Sequence, residues 1–193
     1  MNFDLATFAK SRAVILVEGM SDQAALETLA ERRGRVLGTE GISIVRMAGA
    51  TNIGRFVNLL GPHGLGVRLA GLCDAAEEGY FRRALERAGL GSGISRADME
   101  ALGFYVCTAD LEDELIRALG AASVEQIIAA QGEIRSMRIF QKQPAQQRRS
   151  PDRQLHLFMG TRSGRKSHYA RLLAGALDLS RVPRPLDRVL AHL

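Results

Sequence analysis

The chain has 193 residues, 46% of them hydrophobic and 24% charged, which is enough to bury a core without disulfides or a structural metal. Apolar runs such as AVILV at 13–17 fall far short of the roughly 20 residues a membrane span needs. The opening MNFDLATFAK lacks the basic start and apolar stretch of a secretory signal, so export is not expected and a cytoplasmic location is. Net charge is +5, but residues 1–130 carry −4 and residues 131–193 carry +9. An acidic body with a basic C-terminal part points toward a polyanionic partner, although a solvated arginine-rich surface would give the same sum.

Strand-type and helical stretches alternate through the first half. Arg12–Val17 is a continuous apolar run ending at Glu18-Gly19 and predicts a strand buried on both faces. Ser21 or Asp22 can cap the next helix, where Ala25, Leu26, Leu29 and Ala30 recur at helical spacing as far as Gly34. Ile42–Met47 predicts a second strand. Gly49 to Asn52 opens a helix through Phe56, Val57 and Leu60 that Gly61-Pro62 stops. Arg68–Cys73 predicts a third strand ending at Asp74, and Glu77–Ala88 an amphipathic helix ended by Gly89. Phe104–Cys107 is a short fourth strand, and the acidic run Asp110 to Glu114 opens another helix. From Ser123 onward only helices are expected, over Ser123–Ala130, Glu133–Gln141, Leu155–Met159 and Arg165–Leu177, with an exposed polar loop at Gln143–Arg153. The expected fold is α/β, a small parallel sheet flanked by helices over residues 12–120, followed by a basic helical C-terminal region over 121–193.

The carboxylates are the informative residues. Ligands of an open parallel sheet bind beyond the carboxyl ends of its strands. Glu18 follows the first predicted strand, Asp74 the third, and Asp110 and Glu112 the fourth; Asp22 lies four residues after Glu18, on the first turn of the following helix. Acids gathered in this way repel one another unless a cation sits among them, and hard oxygen donors suit Mg²⁺ or Mn²⁺. Taken singly, Asp22, Glu77 and Asp110 are better explained as acids favoured at helix N-termini than as ligands. Glu18, straight after a buried strand, has no such capping role.

These residues also carry a family resemblance. ILVEGMSDQAALETLA (15–30) resembles the first motif of TOPRIM domains, a Glu ending the first strand of a small Rossmann-like parallel sheet, and GLCDAAEEG (71–79) resembles the second, an Asp-x-Asp ending strand three. Together with MAGATNIGRF (47–56), DLEDEL (110–115) and GRKSHYARLLAGAL (164–177), the chain is most similar to the TOPRIM region of the overcoming-lysogenisation-defect (OLD) family endonucleases. The resemblance implies phosphodiester cleavage that depends on one or two Mg²⁺ or Mn²⁺ ions. Glu18 would be a metal ligand or general base, Asp22, Asp74 and Glu112 further ligands, and Lys166 the lysine that steadies charge on the scissile phosphate. Asp110 joins the ligand candidates. Two divalent ions about 4 Å apart would activate water and neutralise the phosphate, and a placed lysine adds to that stabilisation.

The sequence departs from the family pattern twice. Ala76 stands where the second Asp of Asp-x-Asp is expected, so Glu77 or Glu78 would have to reach in, or an ion is lost. A stand-alone TOPRIM chain without the ATPase region that precedes it in OLD nucleases is expected, and since no G-x-x-x-x-G-K-[ST] loop occurs, no ATP site is expected in this chain. The leading expectation is therefore a stand-alone endonuclease gripping DNA through sequence-independent backbone contacts by the Lys/Arg of 131–193. The alternatives are a weakly catalytic or non-catalytic nucleic-acid-binding subunit working with a separate ABC-type ATPase, and an RNA-directed TOPRIM nuclease. A homodimer is left open, and no membrane partner is expected.

Other chemistries find little support. His63, His156, His168 and His192 show no H-x-x-x-H spacing for zinc, though His168, two residues after Lys166, could touch phosphate. Cys73 and Cys107 form no C-x-x-C pair, which fits a reducing compartment. Without Trp, and with 5% aromatics, extensive base stacking is not expected. Gly49–Gly54 could cradle a phosphate on its amides, but a helix cap at Thr51 or Asn52 is the more frequent explanation.

Overall fold

The computed structural model of the chain describes Phe8 and residues 10–193; the remainder of the N-terminal stretch read for a targeting signal lies outside the described residues. Four parallel strands, β1 (Ala13–Val17), β2 (Ile42–Arg46), β3 (Arg68–Cys73) and β4 (Phe104–Val106), lie in the order β2-β1-β3-β4. Helix α1 (Met20–Arg32) joins β1 to β2, and α2 (Ile53–Leu60) joins β2 to β3. Helices α3 (Glu78–Arg87) and α4 (Arg96–Ala101) join β3 to β4. After β4 the chain is helical, through α5 (Leu111–Leu119), α6 (Ala121–Ala130), α7 (Ile134–Gln141), α8 (Pro144–Gln147), α9 (Pro151–Met159), α10 (Arg165–Ala176) and α11 (Arg184–Ala191). Among the described residues no helix is long and apolar enough to cross a membrane.

All five residues of β1 are buried because successive side chains feed opposite faces of the sheet, and both faces are covered. Val14 and Leu16 enter a core with Phe56, Leu60, Phe81 and Met99 from α2, α3 and α4. Ala13, Ile15 and Val17 enter the other core, with Leu26 and Leu29 of α1 and with Leu115, Leu155, Tyr169, Leu173 and Val189 of the later helices. The helices beyond residue 120 thus fill the same core as α1 and close one face of the sheet. Helix α10 lies along α1, where Arg32 donates to the carbonyls of Ala174 and Leu177 at 3.0 and 2.6 Å.

The register places Leu16 beside Gly71, and Gly71 beside Phe104. A Cβ on Gly71 would stand 2.6 Å from the Phe104 ring and 3.3 Å from the Leu16 carbonyl, so only glycine lets that ring lie against β3. Phe104 then meets Phe81 edge-on, with centroids 6.1 Å apart.

Three expectations change. Gln143–Arg153 is not one open loop. Pro144 and Pro151 each start a helix at the N1 or N2 position, where a missing N–H costs nothing, and Gln146 is buried. Neither Ser21 nor Asp22 is the cap residue of α1. The helix begins at Met20, and Asp22 on its first turn reaches back to accept the Gly19 N–H at 2.9 Å. The helix expected from Glu77 starts at Glu78, preceded by a 3₁₀ turn over Ala75–Glu77.

Gly71→Ala is expected to cost about 1–3 kcal/mol through the forced displacement of Phe104. Denaturant unfolding measures this, and a smaller side chain at Phe104 should recover part of the loss.

Candidate active site

The parallel strands open on one side, and the chain after each carries acid. Glu18 follows β1 directly, and Asp22 is buried beneath it, 8% exposed, its Oδ2 held by the Gly19 N–H. Asp74 follows β3. The next peptide N–H, that of Ala75, donates to the Ala109 carbonyl at 2.9 Å, which ties the end of β3 to the loop after β4. In that loop Asp110 caps α5, its Oδ1 accepting the Asp113 N–H at 2.9 Å. One turn of α5 then buries Glu112, 2% exposed.

The side chains converge, and their mutual repulsion is strong. Burial, followed by the charges of Asp22, Asp110, Glu18 and Glu112, pushes Asp74 up to about 7. Burial outweighs the Gly19 N–H and, with Glu112 and Glu18, raises Asp22 to about 6. Glu77 is pushed up to about 8 by the Glu18 carboxylate, with which it would share a proton, by burial and by the neighbouring acids. The 3₁₀ turn after Asp74 therefore brings Glu77 beside Glu18. Glu78 faces elsewhere, paired with Arg96.

Lys166, the second residue of α10, donates to Glu112 Oε2 at 3.1 Å. Burial works against its charge, but Glu112, Asp110 and Asp74 hold the ammonium above its usual range. The neighbouring Arg165 fixes the start of the helix. Its guanidinium is 4.2 Å from the centroid of the Phe158 ring and donates to Glu133 Oε1 at 2.8 Å, and Tyr169 donates to the other oxygen of Glu133 at 2.7 Å.

The structure thus brings together Glu18, Asp22, Asp74, Glu77, Asp110, Glu112 and Lys166. It adds one residue that sequence reasoning set aside. His156 of α9 places Nε2 2.5 Å from Asp110 Oδ2, and ligand atoms of Asp110, Glu112 and His156 all lie within 4.8 Å of one another. Burial pushes Asp110 up, but His156 and the Asp113 N–H hold it below the usual carboxylate range. No spacing rule links residues 110 and 156; only the packing of α9 on α5 does. His168 turns to Gln131, at 3.3 Å, and both cysteines are buried, their thiols pushed up by that burial.

The donor set fits a hard divalent cation. Glu77 Oε2 and Glu112 Oε1 are buried without a hydrogen-bond partner, which is costly unless a cation or ligand satisfies them. Oxygen donors dominate the cluster, and the site holds more negative charge than Lys166 alone balances.

Residues 10–75 match the family described as overcoming lysogenization defect protein-like, TOPRIM domain. The chain is similar in fold to the C-terminal region of the Burkholderia pseudomallei OLD protein, at TM-score 0.72 and 23% identity, covering 94% of this chain and 96% of that one. It is also similar to the C-terminal region of the Xanthomonas campestris pv. campestris OLD protein. One structure of that region gives TM-score 0.69 and 26% identity over 94% of each chain, and another gives 0.71 and 25% over 94% of this chain and 91% of that one. No curated protein matches the chain.

Folded-state values of about 6, 7 and 8 for Asp22, Asp74 and Glu77 lie above those of the unfolded chain. The folded state therefore holds extra protons between about pH 4 and pH 8, and metal-free stability falls as pH rises through that window. Thermal unfolding in chelator should show a lower midpoint at pH 8 than at pH 5.5, by about 2–4 °C for each kcal/mol lost. Added Mn²⁺ should restore most of the difference at the higher pH.

Proposed function

We propose that this protein, whose residues 10–75 match the OLD-like TOPRIM family model, is a divalent-metal-dependent endonuclease that nicks or cleaves DNA at the acid crevice beside Lys166. The observation that carries this reading is the pair of buried, unpartnered carboxylate oxygens, on Glu77 and Glu112, within a crevice of acids at the carboxyl ends of three parallel strands.

Glu18, Asp22, Asp74 and Glu77 are the residues that would hold one ion, and Asp110, Glu112 and His156 those that would hold another. When bound, Mg²⁺ or Mn²⁺ supplies charge neutralisation at the phosphate and a water of lowered pKa. Glu18, on the short link between β1 and α1, is placed to act as the general base toward an attacking water. Lys166 stays protonated at neutral pH and is placed to neutralise charge developing on the phosphate oxygens. Asp22 fixes the Gly19 peptide and with it the direction of Glu18. Glu77 stands in the crevice where Ala76 carries no carboxylate, and this supports a catalytic reading over a purely binding one. The basic segment 131–193 supplies backbone contacts to DNA. A separate ABC-type ATPase remains part of the proposal as a partner.

Incubated with Mn²⁺, the protein should convert supercoiled plasmid to open-circle or linear forms, and Glu18→Gln should reduce the rate by about 10² or more. Cleavage by Glu18→Gln at the wild-type rate would overturn the assignment. Structured RNA cut in preference to duplex DNA would replace the substrate class.

A further inference from the structure

Beside the acid crevice lies a second, differently charged recess of about 370 Å³, walled by the start of α1, the end of β2 and the first turns of α10. Arg46, the last residue of β2, and Arg171 of α10 both line it, with Ser167 and His168 between them on the α10 wall. Among the described residues, neither guanidinium makes a hydrogen bond or ion pair. Nearby cations do. Lys166 pairs with Glu112, Arg33 with Asp187 and Arg35 with Glu40. The acid in the wall, Glu27, has one oxygen occupied by the Gln23 amide at 2.7 Å.

Two chain segments connect the recess to the crevice. Met20, 60% exposed in its wall, follows Glu18 by two residues, and Ser167 follows Lys166 directly. Helix α10 thus presents Lys166 to the acids and Ser167, His168 and Arg171 to the recess.

We propose that this recess is a phosphate subsite, in which Arg46 and Arg171 hold a backbone phosphate of the bound nucleic acid strand next to the reacting one. The inference rests on the nuclease reading and deepens it. Two guanidiniums without partners, facing one cavity, suit a bridging phosphate because each offers a planar fork of N–H donors. The Ser167 hydroxyl, which donates to the Gly164 carbonyl at 3.0 Å, and His168, whose Nε2 meets Gln131, only line the wall, so the two guanidiniums are the donors. A phosphate held here would set the register of the strand, so that its neighbour meets Glu18 and Lys166. The contact carries no base information.

The test is anisotropy of a labelled DNA duplex with the full chain, in Ca²⁺, as a function of salt. The double variant R46Q/R171Q should weaken binding about tenfold, and the slope of log K against log salt should fall by about 1, one phosphate's worth. R46K/R171K should keep most of the slope. R82Q/R87Q, which removes the same charge from exposed positions on α3, should bind as wild type does. Mn²⁺ affinity and the thermal midpoint of R46Q/R171Q should stay at wild-type values. An R46Q/R171Q protein that binds like wild type, or no worse than R82Q/R87Q, overturns the subsite. If wild type still nicks plasmid in that case, only the subsite falls; a wild type that neither binds nor nicks removes the nuclease reading as well.

Discussion

The constraint on which the rest of the structure depends is the crowding of like charge at one edge of the sheet. Parallel strands deliver their carboxyl ends to the same side, so the acids that follow β1, β3 and β4 have no separate places to go. Burial takes away the water that would screen them, and Asp22, Asp74 and Glu77 respond by holding protons well above the usual carboxylate range. A fold that accepts this strain must be held by something else. Here that is the apolar packing of β1 from both sides, which fixes the strand ends irrespective of what the acids prefer.

The counterweight comes from the other end of the sequence. Lys166 reaches Glu112 across 54 positions, and His156 reaches Asp110 across 46. Both depend on the C-terminal helices packing into the core that β1 and α1 share. The acidic and basic parts of the sequence therefore meet at the crevice, which is what gives the charge asymmetry between them a physical role.

Much of the sheet could be read from the sequence because its strands are short apolar runs closed by Gly or acid, and burial on both faces leaves no ambiguity of side. The acids were legible for the same reason, since a residue placed just after a strand has its position fixed by the strand. Helix α4 escaped notice because it has six residues and buries only Met99, with its signal confined to the Ser95–Asp98 cap. Helix α11 lies beyond Leu177, where no further helix was expected, and its Pro183 and Pro185 sit where a helix begins. The contribution of His156 depends on a tertiary contact between α9 and α5, and no local pattern encodes such a contact. Glu77 was separable from Glu78 only once the 3₁₀ turn fixed which of the two points inward.

The network of Arg165, Glu133 and Tyr169 bears on how this scaffold can vary. It anchors the first turns of α10 through two side chains one turn apart, Arg165 and Tyr169, both on Glu133. Sliding the helix by a single residue would rotate Lys166 by about 100° and leave a buried guanidinium without its carboxylate. Insertions are thus expected to be excluded from the helix and confined to the exposed turn at 161–164, where lengthening the chain changes no angle. Drift in that turn would alter the rim of the crevice while its chemistry stayed in place.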